Sequence, residues 1–278
     1  MQKFSYHTHT NFSDGENTLE ETFEQAIKLG WDSIGISDHM IIHKNMKNSP
    51  VYDVLIKSCA HIYNDNFKEC LSVFQKRAEY IRKSAKNYPI KVFVGFEVDY
   101  FNYDGWEDEF KEFISEIDHD YLINGNHFFF DEKCENLINI YKYDDMSSKI
   151  KTESYKTYLK RHYKVIQQSV KSGLFDILAH LDYARRDDLH KKFPCNQERL
   201  DVVECLKEYN MAIELSTKGL RKIGDFYPES FILKDIIDKN IPIVINDDAH
   251  NIRELGYCFD KAEEKLVELG CKNRFVLK

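Results

Sequence analysis

The chain has 278 residues, 42% of them hydrophobic, with 39 basic against 47 acidic side chains and a formal net charge of -8. That length accommodates one large α/β domain or two small ones, and the acid excess argues against nucleic acid or an anionic membrane as partner, since both need a basic field. The opening MQKFSYHTH has no apolar signal segment, no later run is apolar enough to span a bilayer, and seven scattered cysteines without a C-x-x-C read as free thiols in a reducing cytoplasm.

The first β-rich run covers residues 3–7 and leads into His7-Thr8-His9. Thr18-Leu19-Glu20-Glu21 is a capping box that opens a helix, and Gly30 is placed to stop it. A strand over 33–37 runs into Asp38 and His39 in G-I-S-D-H. A long helical region, broken at most once, follows over 53–87. A strand over 91–97 ends on Glu97, in G-F-E-V-D, and a helix covers 106–117. The strand over 121–124 precedes N-G-N-H, which carries His127. A helix over 147–172 leads to a strand over 176–180 that ends on His180. A helix over 196–209, a strand over 211–215 and a helix over 228–240 come next. The strand over 243–246 precedes N-D-D-A-H, with Asp248 and His250, and a helix over 251–269 closes the series. Each strand is followed by helical sequence, which predicts parallel pairing through right-handed crossovers. One β/α barrel domain over residues 1–278 fits the count, with a doubly wound open sheet as the structural rival.

The chemistry-bearing residues fall at the strand ends. In a β/α barrel these ends converge on one mouth. Clustered neutral histidines with carboxylates are the ligand set of Zn, Mn and Fe sites. His7 and His9 sit two apart on extended backbone, so both point to one face. His61, His119, His162 and His190 fall on helices or polar loops and read as solvated or capping histidines. His43 follows the second motif and faces either the mouth or the surface.

Taken in order, H-T-H-T-N-F-S-D, G-I-S-D-H, G-F-E-V-D, N-G-N-H, A-H-L-D and N-D-D-A-H resemble the motifs of the PHP (polymerase and histidinol phosphatase) superfamily. H-T-H-T-N-F-S-D-G, the insertion after G-I-S-D-H and E-L-S-T-K-G-L-R-K most resemble its histidinol-phosphate phosphatases. The resemblance implies a distorted (β/α)7 barrel with three divalent ions at the C-terminal mouth of the strands. His7, His9, Glu97 and Asp248 would bind the first, and Glu97 would bridge to the second, with His127 and His180. Asp14, His39 and His250 would bind the third; many relatives have a histidine where Asp14 stands. Glu97, Asp248 and His250 would be the catalytic set, and a metal-bridging hydroxide would hydrolyse L-histidinol phosphate to L-histidinol and phosphate.

Three cations outweigh the site's carboxylates, so an acidic protein can still hold a phosphate dianion. Arg161, Arg185 and Arg221 are the candidates for direct phosphate contact, because the guanidinium fork donates two parallel bonds. Asp38 and Asp182, beside metal-type histidines, are candidates to orient imidazoles, and Asp247 either does so or caps the last helix. The run H-F-F-F-D after His127 either walls the substrate site or packs in the core. Two further readings are a PHP phosphoesterase acting on nucleotides or DNA ends, and a metal-binding module without activity. The absent basic surface argues against the DNA version of the first, and the complete ligand set argues against the second.

Overall fold

The structure, a computed structural model, describes residues 2–49, 52, 59–142, 152–186 and 188–278. The predicted segments over 53–58 and 147–151 lie outside the described residues.

Ten strands and nine helices are formed among the described residues. The strands are β1 Ser33–Ile36, β2 His39–Ile42, β3 Tyr63–Asn64, β4 Lys91–Val98, β5 Tyr121–Asn124, β6 Phe128–Asp131, β7 Asn136–Asn139, β8 Ile177–Leu178, β9 Ala212–Ser216 and β10 Ile243–Asn246. The helices are α1 Leu19–Lys28, α2 Phe67–Ala85, α3 Trp106–Ser115, α4 Tyr155–Ser172, α5 Asp188–Lys192, α6 Asn196–Tyr209, α7 Lys218–Lys222, α8 Ser230–Asp238 and α9 Phe259–Glu268. Helix α1 begins as its sequence predicts. Thr18 accepts from the Glu21 amide and Glu21 reaches back to the Thr18 amide, an arrangement worth about 1 kcal/mol over an uncapped start.

Strands β10-β9-β8-β5-β4-β2-β3 form one parallel sheet, and β1 pairs with the first half of β4. The expected strand over 3–7 is extended but makes no regular ladder, because its bonds pass partly through side chains. On one side Asp32, Gly35 and Ser37 donate to the carbonyls of Lys3, Ser5 and Thr8 at 2.8–2.9 Å. On the other, Tyr6 N donates to Asn246 Oδ1 (2.9 Å), Gln2 bonds Ile245, and His9 N donates to the Ala249 carbonyl (2.9 Å). The sheet thus turns back toward itself through this segment without a regular closing ladder, an α/β arrangement in keeping with the distorted barrel that the resemblance implies.

Period-two alternation sorts the strand residues into two sets. Tyr6, Phe93, Tyr121, Ile123, Ile177, Ala179, Ala212 and Val244 form a small apolar cluster, with Phe4, Phe275 and Leu277 packed against it. The alternate residues, such as Val94, Phe96, Ile213 and Ile245, belong to the larger core shared with the helices. Gly95 leaves room for the Tyr121 ring, which would overlap a Cβ there. The small cluster fills the space below the site, so continuing along the same strand faces, four residues past Phe93 and two past Ala212, brings Glu97 and Glu214 to the mouth.

Three expected elements are revised. The helical region before 87 contains a short turn, Ala60–Ile62, and β3 before α2 begins at its Asn66 cap. The closing helix of 251–269 divides into a turn at Ile252–Glu254 and α9. His39 begins a new strand, β2, whose register sets His39 beside Glu97 on β4. The antiparallel β6–β7 hairpin, unforeseen in the sequence, places H-F-F-F-D next to the mouth.

Candidate metal centre

Glu97 is the hub of the mouth and is 1% exposed. Its Oε2 lies 3.2 Å from His7 Nε2, 3.3 Å from His9 Nε2 and 3.0 Å from His39 Nδ1. Its Oε1 lies 3.1 Å from His180 Nε2 and 3.5 Å from His127 Nε2. Asp248 sits opposite, with Oδ1 3.3 Å from His9 Nε2 and 3.6 Å from His7 Nε2. Asp14 closes the outer side, 3.1 Å from His250 Nε2 and 3.4 Å from His39 Nε2. All nine residues expected as ligands are therefore brought together. Four overlapping groups have ligand atoms within 4.8 Å of one another: His9-Asp14-His39-His250, His7-His180-Asp248, His7-His9-Glu97 and His39-Glu97-His127.

The donor set fits metal ions on an independent ground. His7 Nε2, both ring nitrogens of His9, His39 Nδ1, Glu97 Oε2 and Asp248 Oδ1 are buried and make no well-formed hydrogen bond. Buried polar atoms without partners are costly, and a cation is the partner they share. The backbone also bends to serve the cluster. His180 and Asp248 take positive φ, 21° and 48°, a conformation that non-glycine residues adopt at some cost in energy. Gly125, in N-G-N-H, lies so close to Glu97 that a Cβ would meet its carboxylate.

Charge regulates itself within the cluster. Burial works against ionisation of Glu97, but His7, His127 and His39 hold its carboxyl well below the usual range. Burial likewise opposes a charged His7, yet Asp248, Glu97 and Glu214 raise its pKa well above the ordinary imidazole value.

Glu214 and Asp99 orient the imidazoles, and the sequence analysis missed both. Glu214 Oε2 is 2.8 Å from His7 Nδ1, and its Oε1 accepts from the His180 amide at 2.8 Å. Asp99 is 2.9 Å from His127 Nδ1 and accepts from the amides of His127 and Phe128. A carboxylate inside the apolar run of β9, and a second acid two residues past Glu97, were the available signals. Asp38 and Asp182 serve elsewhere. Asp38 pairs with Arg77, Thr10 and Ser13, and Asp182 with Arg199 and the Glu229 amide. Asp247 accepts from Ser5 and from the Gly256 amide.

The three arginines expected to meet phosphate lie outside the mouth cavity. Arg161 bonds Asp131 at 2.7 Å and ties the hairpin to α4. Arg185 bonds Asp225 and the Phe226 carbonyl. Arg221 donates to the carbonyls of Asp247 and Asp248, bracing the loop that presents Asp248. The mouth cavity, about 140 Å³, is lined instead by the cations Lys218 and Arg186. Lys218 Nζ is 2.7 Å from Asp248 Oδ2, and the Arg186 guanidinium stacks 4.8 Å over Tyr183. Ile41, Tyr63, Phe128, Asn139 and Tyr141 line the same cavity with Asp14, His39, His127 and His250. A larger groove of about 530 Å³, between Lys44, Phe67 and Glu116, borders none of the four groups. His43 is buried among Phe101, Tyr103 and Phe130 rather than at the mouth, and His162 and His190 are buried, not solvated.

With this geometry, the match of residues 5–218 to the PHP domain gives the fold its family. The chain belongs to the PHP domain family. A protein of Bacillus subtilis strain 168, named histidinol-phosphatase, is 26% identical over 285 residues, covering 95% of this chain and 100% of its own. Two solved structures share the fold. One, from Listeria monocytogenes and provisionally assigned as a histidinol phosphatase, has a TM-score of 0.72 at 20% identity, covering 93% of this chain and 99% of its own. The other is the Lactococcus lactis histidinol phosphate phosphatase complexed with zinc, L-histidinol and phosphate. It has a TM-score of 0.64 at 16% identity, covering 100% of this chain and 97% of its own. No helix among the described residues is long and apolar enough to cross a membrane.

Proposed function

We propose that this chain is, as one domain, a metal-dependent phosphomonoesterase that hydrolyses L-histidinol phosphate to L-histidinol and phosphate. The observation that carries the proposal is the placing of Glu97 between two sets of imidazoles, His7, His9 and His39 at one oxygen and His127 and His180 at the other. A carboxylate so placed could serve two adjacent ions, one at each oxygen. The full-length relative in B. subtilis and the zinc complex of the L. lactis protein support the choice of substrate.

His7, His9, Glu97 and Asp248 would hold one ion, Glu97, His127 and His180 a second, and Asp14, His39 and His250 a third, of the Zn, Mn or Fe class. Bound divalent ions supply positive charge against phosphate oxygens and acidify water. The protein's own groups do the rest. Glu214 and Asp99 fix His7 and His127 with Nε2 toward Glu97. Lys218 and Arg186 add cationic charge on one side of the cavity, where a phosphate dianion gains most. Ile41, Tyr63 and Phe128 give the leaving group an apolar wall. His250, lowered to about 4 chiefly by burial and then by Lys218, is neutral at pH 7 and free to ligate.

The test is phosphate release from L-histidinol phosphate, a nucleoside monophosphate and a DNA 3′-phosphate, each with and without chelator. Faster turnover of the first, abolished by chelation, is the expected result. Equal turnover of all three rejects the substrate, and activity that survives chelation rejects the metal reading.

A further inference from the structure

Asp14 and His250, which with His39 would hold the third ion, are the most exposed members of the cluster. The side chains of Asp14 and His250 keep 37% and 24% of their surface, against 0–1% for His7, Glu97, His180 and Asp248. Ligands at such a rim hold their geometry only if something braces them from behind.

Behind this rim lies a buried ion pair that, among the described residues, hydrogen-bonds no ligand side chain. Arg77 is 6% exposed and Asp38 fully buried. Arg77 donates from Nε (3.0 Å) and from its terminal nitrogen (2.7 Å) to Asp38 Oδ2. Asp38 Oδ1 accepts from the Thr10 amide and the Ser13 hydroxyl, each at 2.8 Å. Arg77 also donates to Thr10 Oγ1 at 2.7 Å, and its guanidinium lies 4.8 Å over the Phe12 ring. The amides of Ser13 and Gly15 close the turn on the Thr10 carbonyl.

The sequence positions give this network its target. Thr10 follows His9, Ser13 precedes Asp14 and Asp38 precedes His39. Asp14 and His39, two of the three residues that would hold the third ion, are each one residue from a member of the network. The deeper ligands are tied elsewhere, His7 and His180 to Glu214 and His127 to Asp99. We propose that Arg77, acting through Asp38, is a positioning residue that sets ion binding at the rim group separately from the deeper groups. The inference rests on the metal reading above.

The experiment measures zinc affinity of the full chain against a competing chelator, together with zinc content per chain. Arg77→Met should weaken one ion on the order of 10–100-fold, the range for residues that orient ligands, and leave the others at wild-type affinity. Arg77→Lys should recover part of the loss. Asp14→Asn combined with Arg77→Met should bind ions no more weakly than Asp14→Asn alone, because both act on one group. Uniform weakening of all ions, or no weakening, overturns the proposal. If Arg77→Met does not fold, Ser13→Ala, which removes one hydrogen bond, should weaken the same single ion by about fivefold; an unchanged affinity overturns the proposal equally. A wild-type chain that takes up no zinc rejects the metal reading itself.

Discussion

Replacing Glu214 by Gln tests how much of the centre depends on a residue that would bind no metal. Glutamine keeps the shape but exchanges one acceptor oxygen for a donor NH2. Glu214 accepts on both oxygens, from His7 Nδ1 and from the His180 amide, and Asn246 Nδ2 adds a third donor to Oε2 at 3.2 Å. Either orientation of the amide sets donor against donor, at His7 or at His180. The loss is one charge-assisted hydrogen bond, about 1.5–3 kcal/mol. At about 1.4 kcal/mol per decade this is on the order of 10–100-fold in zinc affinity, the range expected for groups that orient metal ligands. The assay is zinc titration against a chelator at pH 7.5, with circular dichroism to verify the fold. A folded Glu214→Gln protein with wild-type zinc affinity would refute the reasoning.

Glu97→Gln should lose more than one ion per chain, since Glu97 contacts five imidazoles; wild-type zinc content in elemental analysis would remove it from the bridging role. Lys218→Met should lower kcat/KM for a phosphate monoester by about 1.5–3 kcal/mol in transition-state stabilisation, and an unchanged value would exclude Lys218 from phosphate contact. Stability should fall on acidification. His43 and His162 have pKa values lowered to about 3, in both cases mainly by burial, so below about 6.5 the unfolded chain takes up protons that the folded chain does not. Each contributes stability that is complete above that point and is lost as pH falls toward 3, about 2 kcal/mol by pH 5. Denaturant unfolding of His43→Phe at pH 7 and pH 5 should show a shallower loss than wild type; an equal loss would contradict this.

The gathering of these histidines and carboxylates was legible because the fold carries strand ends to one mouth, and ligand-type residues recur at those ends. What orients and surrounds them was not. Glu214 and Asp99 act through contacts between strands distant in sequence, so nothing local marks their partners. Arg185 and Arg186 are neighbours in Y-A-R-R, yet one turns to Asp225 and the other lines the mouth. That difference is set by a 3-10 turn, Tyr183–Arg186, which periodicity does not register. Arg221 lay on the expected side, but the one terminal nitrogen that donates goes to the Asp247 and Asp248 carbonyls and to Glu254. The β6–β7 hairpin escaped because H-F-F-F-D followed by E-K-C-E-N has no alternating pattern and no glycine turn.

The seam at residues 2–9 has a consequence for how the protein is made. Its hydrogen bonds join positions 240 to 243 residues apart in sequence, among the most non-local contacts a chain of this size can form. Such contacts close late, because the loop entropy is lost before they return any stability. His7 and His9 stand beside that seam and Asp248 just beyond its far side. The set of His7, His9, Glu97 and Asp248 therefore cannot be complete in a nascent chain before β10 has left the ribosome, and an ion held there would report that the sheet has met its first segment.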